Sequence, residues 1–268
     1  MKTYPALDIR SASPDVILAR VDDFAPTAIE ERDDSLRIFF STSAARDDAL
    51  RDLAAIGRVE AIDIPDEDWA RRSQQNLAPI TVGRITISPN PKSQIPNPDT
   101  IVIVIVPSMG FGTGHHATTR LCLAALQDID LSNAFVLDAG TGSGVLAIAA
   151  RRLGAARALG IDSDPDAIQS ARESLDVNPD VDRVDFEVAD LTAHELPLAD
   201  VVTANLTGAL LIRAATSLLE AARSGGTLIL SGLLAHERDE VCRAFAPASV
   251  VAERQDEGWV CLALMKKS

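Results

Sequence analysis

The sequence predicts an α/β fold with a doubly wound, mostly parallel, Rossmann-like sheet, preceded by a small α+β domain. From about residue 101 onward, short apolar runs alternate with segments of helical period. This pattern is typical of a parallel sheet that carries helices on both faces. Residues 136–144 read VLDAGTGSG, an apolar strand that passes through a glycine-rich turn into a helical run. Such turns lie at the carboxyl ends of parallel strands, where these sheets bind ligands.

The first 64 residues predict a separate domain of alternating short strands and helices. The expected segments are a strand at 3–9, a helix at 13–20, strands at 27–31 and 35–41, a helix at 44–55 and a strand at 59–64. Their order, βαββαβ, is the ferredoxin-like arrangement. Residues 65–100 are rich in proline and polar residues, which predicts a linker. We therefore expect three parts, at 1–64, 65–100 and 101–268.

The third part contains the elements of the main sheet in order. The expected strands are 101–106, 134–138, 157–162, 183–188, 200–204, 226–231, 248–254 and 258–264, and the expected helices are 117–128, 144–153, 165–175, 208–222 and 235–246. The last two strands are close enough in sequence to form an antiparallel hairpin. Polar residues follow several of the parallel strands, so we expect them to meet at one edge of the sheet.

Composition excludes several classes of protein. The 268 residues are 47% hydrophobic and 24% charged, which excludes an intrinsically disordered chain. A formal net charge of −14 argues against binding to nucleic acid and favours a basic partner. No signal peptide or membrane-spanning run is predicted, and three scattered cysteines suit a reducing cytoplasm. We expect a cytoplasmic protein with no membrane contact, and a monomer, although no pattern determines the oligomeric state.

The glycine-rich turn predicts a site for an adenosine-bearing cofactor. Its glycines, Gly140, Gly142 and Gly144, let a ligand approach the main chain at the start of a helix. The dinucleotide fingerprint needs a third glycine one residue later, where this chain has Val145, so a nicotinamide-dependent oxidoreductase is disfavoured. With Asp138, the turn fits the E/D-x-G-x-G-x-G loop of S-adenosylmethionine enzymes. Asp138 and Thr141, which lies within the turn, are therefore further cofactor-binding candidates.

Two more aspartates follow neighbouring predicted strands. Asp162 comes about twenty residues after the turn, where a carboxylate can accept both hydrogen bonds of a ribose diol. Its alternative role is to cap the next helix, but Asp164, directly before Pro165, suits the cap better. Asp190 follows the next strand, where the adenine edge would lie, and a solvated loop aspartate is the alternative.

Residues 109–119 read MGFGTGHHATT and predict a lid over the bound ligand. Thr118 and Thr119 could equally cap the following helix. His115 and His116 are adjacent, so they cannot bind one metal as an i, i+4 pair would, and no metal is predicted. The lid candidates are Phe111, Gly112, Thr113, Gly114 and His116.

Asn205 follows the strand at 200–204 and is the candidate for aligning an acceptor amine. A side-chain carbonyl there can accept a hydrogen bond from a nucleophilic nitrogen and direct its lone pair toward the methyl group. The N-P-P-Y form is absent, since the chain reads Asn-Leu-Thr-Gly. Methylation of nucleic-acid amino groups therefore loses support. A plain turn asparagine is the alternative.

Five segments in order carry a family resemblance. They read FGTGHHATTRLCLAAL, VLDAGTGSGVLAIAARRLGA, ALGIDSDPDAI, VVTANLTGALL and SGGTLILSGLL. From about residue 66 to 235 the chain resembles the ribosomal protein L-11 methyltransferase family, PrmA. The resemblance implies a seven-stranded Rossmann-like methyltransferase sheet, S-adenosylmethionine as the cofactor, and donor contacts at Thr119, Gly140, Asp162 and Asn205. It also implies that the N-terminal domain presents ribosomal protein L-11 or another basic protein.

This chain departs from the family pattern at three positions. His115 and Ala117 stand where the family lid commonly has threonine and proline, and Thr141 stands where cysteine is frequent. The leading hypothesis is methyl transfer to lysine ε-amines or an α-amine of L-11. A methyltransferase acting on another protein lysine or a small-molecule amine, and a non-catalytic donor-binding module, are the alternatives.

Overall fold

The computed structural model describes residues 3–10, 17, 21, 24, 26–32, 35–54, 57–65, 78–89, 99–106, 116–192 and 195–267. The chain divides into two compact units, Met1–Asn76 and Leu77–Ser268, and each is described by itself.

No helix in the described ranges is long and apolar enough to cross a membrane.

The first unit is a four-stranded antiparallel sheet with a helix. Its elements are β1 (Thr3–Arg10), β2 (Pro26–Arg32), β3 (Ser35–Phe40), α1 (Ser43–Leu53) and β4 (Arg58–Pro65). The strand order is β2-β3-β1-β4, so β1 lies between β3 and β4, as the interleaved ferredoxin-like arrangement requires. Of the helix expected at 13–20, only Ile17 lies within the described residues. Thr42 caps α1 by accepting a hydrogen bond from the Ala45 amide at 3.2 Å.

The second unit begins with a small sheet that the sequence did not predict. Its strands are β5 (Ile80–Val82), β6 (Ile85–Ser88) and β7 (Ile101–Val104), in the order β5-β6-β7. Residues 80–88 were expected in a linker and residues 101–106 in the main sheet, and both expectations are wrong. The prolines at 89–98 hide the strand signal, whereas Ile85, Ile87 and Ile103 are fully buried. Their burial stabilises the small sheet.

Side-chain amides attach the small sheet to its own unit. Gln127 accepts a hydrogen bond from the Arg84 amide at 2.8 Å and donates one to the Val82 carbonyl at 3.0 Å. Asn178, only 2% exposed, accepts one from the Val104 amide at 3.0 Å. Buried amide groups need such partners, so the small sheet belongs to the second unit.

The main sheet has seven strands and is mostly parallel, as predicted. The strands are β8 (Phe135–Ala139), β9 (Arg157–Asp162), β10 (Val184–Val188), β11 (Ala199–Asn205), β12 (Ala222–Leu234), β13 (Ser249–Asp256) and β14 (Trp259–Met265). The helices are α2 (Ala117–Leu126), α3 (Val145–Arg152), α4 (Pro165–Asp176), α5 (Gly208–Ala221) and α6 (Arg238–Ala244). The first residues of the last expected helix, Ala235–Glu237, form a 3₁₀ turn instead.

The strand order, β10-β9-β8-β11-β12-β14-β13, reverses between β8 and β11. Strands β8 to β12 run parallel, and β14 pairs antiparallel with both β12 and β13. The sheet separates two apolar cores, one under α2, α3 and α4 and the other under α5 and α6. Ligands bind at the carboxyl edge beside such a reversal, so the ends of β8 and β11 define the candidate site.

Candidate functional site

The glycine turn after β8 is held against the neighbouring strand. The amides of Gly140 and Thr141 both donate to the Ile161 carbonyl, at 2.8 and 2.9 Å. Gly140 has φ +74°, and a Cβ there would lie 2.3 Å from Leu206 Cδ2. The positive φ favours glycine at this position, and the tip of the Leu206 side chain packs over it. Gly144 ends the turn as the residue preceding α3.

The Asp138 side chain is engaged inside the protein, and the cofactor contact expected for it stays a prediction. Its side chain is buried, and its two oxygens accept hydrogen bonds from Thr141 Oγ1 and Thr203 Oγ1, each at 2.6 Å. Burial raises the pKa of Asp138 to about 6, although both hydroxyl bonds oppose the shift. The Thr141 hydroxyl is likewise used inside the protein. The Asp138 side chain therefore connects the glycine turn to β11.

Asp162 lies at the end of β9 with its carboxylate beside the turn. One oxygen accepts a hydrogen bond from the Gly142 amide at 3.1 Å, and the other accepts one from the Asp164 amide at 3.0 Å. A carboxylate oxygen can accept more than one bond, so both oxygens can still receive a diol. Asp164 caps α4 through the Asp166 amide at 2.9 Å. The cap role predicted for Asp164 is confirmed, whereas the ribose contact predicted for Asp162 stays a prediction.

Asp190 is exposed beyond the end of β10. One of its oxygens accepts hydrogen bonds from the amide and the hydroxyl of Thr192, at 2.8 and 2.7 Å. This is a local aspartate turn on the outer side of β9, where the adenine was expected. Its contact with a cofactor stays a prediction.

Asn205 and Thr119 are brought together from distant parts of the chain. Asn205 Nδ2 lies 3.5 Å from Thr119 Oγ1, and Thr119 is only 1% exposed. Within the part of the chain that the structure describes, no group donates to Asn205 Oδ1. Asn205 is the last residue of β11, and its side chain contacts α2, while its role toward an amine stays a prediction. Its carbonyl oxygen is available to a ligand.

The chain after Asn205 is held on both sides. Leu206 donates from its amide to the Ser231 carbonyl at 2.9 Å, and its side chain covers Gly140. A Cβ on Gly232 would lie 2.3 Å from the Leu206 carbonyl oxygen. Thr207 then caps α5 through the Leu210 amide at 3.4 Å. This loop contacts both the glycine turn and β12, so neighbours on two sides hold it in position.

His116, and not Thr118 or Thr119, caps α2. Its Nδ1 lies 2.8 Å from Thr118 Oγ1 and accepts a longer bond from the Thr118 amide at 3.4 Å. The imidazole also packs edge to face on the indole of Trp259, with ring centroids 5.0 Å apart. The other lid candidates, residues 111–114, and the neighbouring His115 lie outside the described residues.

Sequence reasoning missed Trp259, which is the first residue of β14. It follows the turn of an antiparallel hairpin, so it lies at the edge where the parallel strands end. Arg120 of α2 binds this turn through Asp256 at 2.7 Å and Glu257 at 3.2 Å. A hairpin that returns to the carboxyl edge is the signal that could have pointed to this residue.

Known proteins resemble this chain in sequence over most of its length. A family model described as "Ribosomal protein L11 methyltransferase (PrmA)" matches residues 26–267. The ribosomal protein L11 methyltransferase of Cupriavidus necator is 40% identical over 201 residues, which are 74% of this chain and 65% of that protein. The enzyme of the same name from Cupriavidus metallidurans is 37% identical over 235 residues, 87% of this chain and 74% of that protein.

A solved structure shows the same architecture. The ribosomal protein L11 methylase of Lactobacillus delbrueckii subsp. bulgaricus superposes with a TM-score of 0.66 at 25% identity, covering 72% of this chain and all of that one. The match to the first of the curated relatives spans less than two thirds of that relative's length.

Proposed function

The chain belongs to the ribosomal protein L11 methyltransferase family, and from that premise we propose that it transfers methyl groups from S-adenosylmethionine to amines of ribosomal protein L11. The observation that carries this proposal is the position of Asn205. The Asn205 side-chain carbonyl, which accepts no bond from the residues that the structure describes, lies at the strand-order reversal, and the loop that follows it covers the glycine turn. An acceptor amine and a donor can therefore meet at this point.

The donor would lie along the ends of β8, β9 and β10. Asp162 would accept the ribose hydroxyls, and Asp190 would face the adenine edge. Gly140, Gly142 and the start of α3 would present main-chain atoms to the remaining part of the donor. When bound, S-adenosylmethionine supplies an electrophilic methyl group on a sulfonium. Asp138 would act from below by keeping the turn in place.

The acceptor amine would be aligned by Asn205. Its amide hydrogen is directed to Thr119 at 3.5 Å, which orients the carbonyl oxygen to accept a hydrogen bond from the amine. The nitrogen lone pair can then face the methyl group. Holding two reactants in this geometry supplies a large part of such catalysis. An amine buried at the sheet edge also loses its proton more readily, because desolvation disfavours the charged form.

The first unit and the net charge would both serve the binding of the protein substrate. The first unit, a ferredoxin-like sheet, would present the ribosomal substrate to the catalytic unit. The net charge of −14 would attract a lysine-rich protein such as L11. A protein that modifies a ribosomal protein would work in the cytoplasm, where ribosomes are made.

Calorimetry and a methyl-transfer assay test the proposal in sequence. We expect S-adenosylmethionine to bind with measurable heat, and no heat together with no thermal shift at millimolar donor would refute the donor site. Transfer of a radiolabelled methyl group should then occur to purified L11. Transfer only to other proteins or to a small amine would replace L11 as the acceptor, and donor binding without transfer to any amine would indicate a non-catalytic module.

A further inference from the structure

We infer that Arg120 is a positioning residue for methyl transfer, because its ion pairs with the hairpin of β13 and β14 hold the turn of α2 that carries Thr119. The inference rests on the proposed function, since Thr119 is the residue that the Asn205 side chain contacts. Arg120 directly follows Thr119 in α2. It acts through Thr119 and Asn205, without contact of its own with the cofactor or the acceptor.

The contact between Asn205 and Thr119 is sensitive to the position of α2. Asn205 Nδ2 lies 3.5 Å from Thr119 Oγ1, whereas most N–H···O bonds are about 2.9–3.0 Å long. A small outward shift of α2 would therefore break this contact and release the Asn205 side chain. The main chain of Asn205 is itself held in the sheet, where it is aligned with Ser231. The position of α2 thus determines whether the side chain stays oriented.

The hairpin holds the first turn of α2 through two of its side chains. Arg120 donates from Nε and from Nη2 to Asp256 Oδ2, at 3.2 and 2.7 Å, and Nη2 lies 3.2 Å from Glu257 Oε1. His116, the N-cap of α2, packs its ring against Trp259. Asp256 and Trp259 are aligned with each other at the end of the hairpin. Both contacts with α2 therefore come from the same turn.

Glu257 has a backbone conformation that glutamate disfavours. The hairpin loop consists of Glu257 and Gly258, with φ +51° and +81°, and a type I′ turn requires positive φ at both positions. Asparagine before glycine is the preferred pair in such turns, whereas glutamate with positive φ is strained. Glu257 is 68% exposed, and an exposed ion pair contributes less than this strain costs. Stability alone therefore does not account for the glutamate, whereas a role in holding Arg120 does.

A second ion pair joins the same hairpin to the far end of α2. Arg254 of β13 pairs with Asp128, which lies just beyond the C-cap of the helix. Asp128 is nine positions from Thr119, roughly two and a half helical turns. Both side chains are partly exposed, as in the pairs of Arg120. The two sites thus differ mainly in their distance from Thr119, which makes the second pair a control.

Steady-state kinetics of the double variant Asp256→Asn/Glu257→Asn test the inference. The turn then contains the preferred Asn-Gly pair, while Arg120 loses its two carboxylate partners in the hairpin. We expect kcat for L11 to fall about tenfold, less than the roughly 100-fold loss for a misplacement of about 1 Å. The KM for L11 and the Kd for S-adenosylmethionine should stay close to wild type, because the alignment serves the transition state. Chemical denaturation should give a free energy of unfolding equal to or above that of the wild type.

Three single variants complete the experiment. Arg120→Met keeps the apolar stem without the charge and should show the same fall in kcat. Arg120→Lys keeps a cation within reach of Asp256 and should recover most of the activity. Arg254→Gln removes the ion pair to Asp128, leaves Arg120 paired, and should keep the wild-type kcat.

The outcomes separate a positioning role from a purely structural one. Wild-type kcat in the double variant or in Arg120→Met would overturn the inference, as would an equal loss of kcat in Arg254→Gln. A loss of stability in step with the loss of kcat would also overturn it, because the ion pairs would then serve the fold in general. A wild-type protein that transfers no methyl group to any amine would instead refute the proposed function.

Discussion

The proposed donor half and the proposed acceptor half of the sheet edge are built in different ways. Most of the proposed donor half is one stretch of chain from β8 to the start of α4, whose turn amides donate to Ile161 and Asp162, and Asp190 would join it from the end of β10. The proposed acceptor half joins Thr119 and Asn205 from two segments that are distant in sequence. A local pattern can define the first half, whereas only folding assembles the second.

The two halves are nevertheless coupled at two points. Leu206, directly after Asn205, covers Gly140 of the donor turn. Asp138 of β8 binds Thr203 of β11 as well as Thr141 of the turn. A change at either point should therefore reach both halves, whereas a change at a ligand-facing residue should affect one half alone.

Gly232→Ala should have the largest effect, because its new Cβ would displace Leu206, the residue that packs on the glycine turn. The new Cβ would meet the Leu206 carbonyl oxygen at 2.3 Å, and φ is +86°. We expect a loss of about 2–5 kcal/mol in the free energy of unfolding from strain and overpacking together. Chemical denaturation measures this loss, and kcat should fall as Asn205 is displaced.

Gly225→Ala is the matched control for that variant. Gly225 lies in the same strand with φ +76°, but a Cβ there would meet nothing within 4 Å. It should therefore lose only about 1–2 kcal/mol for the backbone conformation and keep its kcat. Equal effects of the two variants would show that contact with Leu206 does not couple the halves.

Asp138→Asn tests the second coupling point, because the stability that the Asp138 carboxyl contributes depends on pH and asparagine does not ionise. Burial raises the pKa of Asp138 from 3.8 to about 6, so the folded state holds a proton that the unfolded state releases. The contribution of Asp138 to stability is then present below pH 4 and is lost as pH rises toward 6. Between these two pH ranges, the contribution of Asp138 to the free energy of unfolding changes by about 3 kcal/mol.

The measurement is the free energy of unfolding of wild type and Asp138→Asn at several pH values. Asparagine does not ionise, so the variant should lack this decline, and its stability relative to wild type should rise between pH 4 and 6.5. Parallel pH profiles in the two proteins would contradict the assignment of the raised pKa to Asp138.

Asn205→Ala should affect the acceptor half alone. Loss of the aligning carbonyl should reduce kcat about 100-fold, the size expected when a reactant is misplaced by about 1 Å. The Kd for S-adenosylmethionine, measured by calorimetry, should stay close to that of the wild type. A large rise in this Kd would mean that Asn205 serves the donor more than the acceptor, which would break the division between the halves.

Asp162→Ala should show the complementary result. Loss of a charge-assisted ribose contact should weaken donor binding by about 1.5–3 kcal/mol, measured as the Kd for S-adenosylmethionine. The KM for L11 should change little. Asp190→Ala provides the comparison, because its exposed carboxylate is already engaged by Thr192 and should contribute less. An unchanged donor Kd in Asp162→Ala would remove its assigned role.

Most of the second unit could be predicted because its signals are local. Strand and helix periods defined seven strands within a few residues, and Asp164 before Pro165 marked the cap of α4. The small sheet was missed, since the burial of Ile85 and Ile103 depends on a core formed by other segments. His116 as the cap of α2 was missed for a similar reason, because two threonines follow it and are themselves good caps.

The sequence by itself determined the fold class, the donor turn and the family, because glycine spacing, strand length and helix caps depend on neighbours in the chain. Only the tertiary structure decided that Asp138 is buried and bonded to Thr203, and that the Asn205 side chain meets Thr119. Burial and side-chain contact depend on which strands become neighbours. In this sheet the chain runs outward from β8 to β10 and then returns to β11, so residues far apart in sequence meet at the edge.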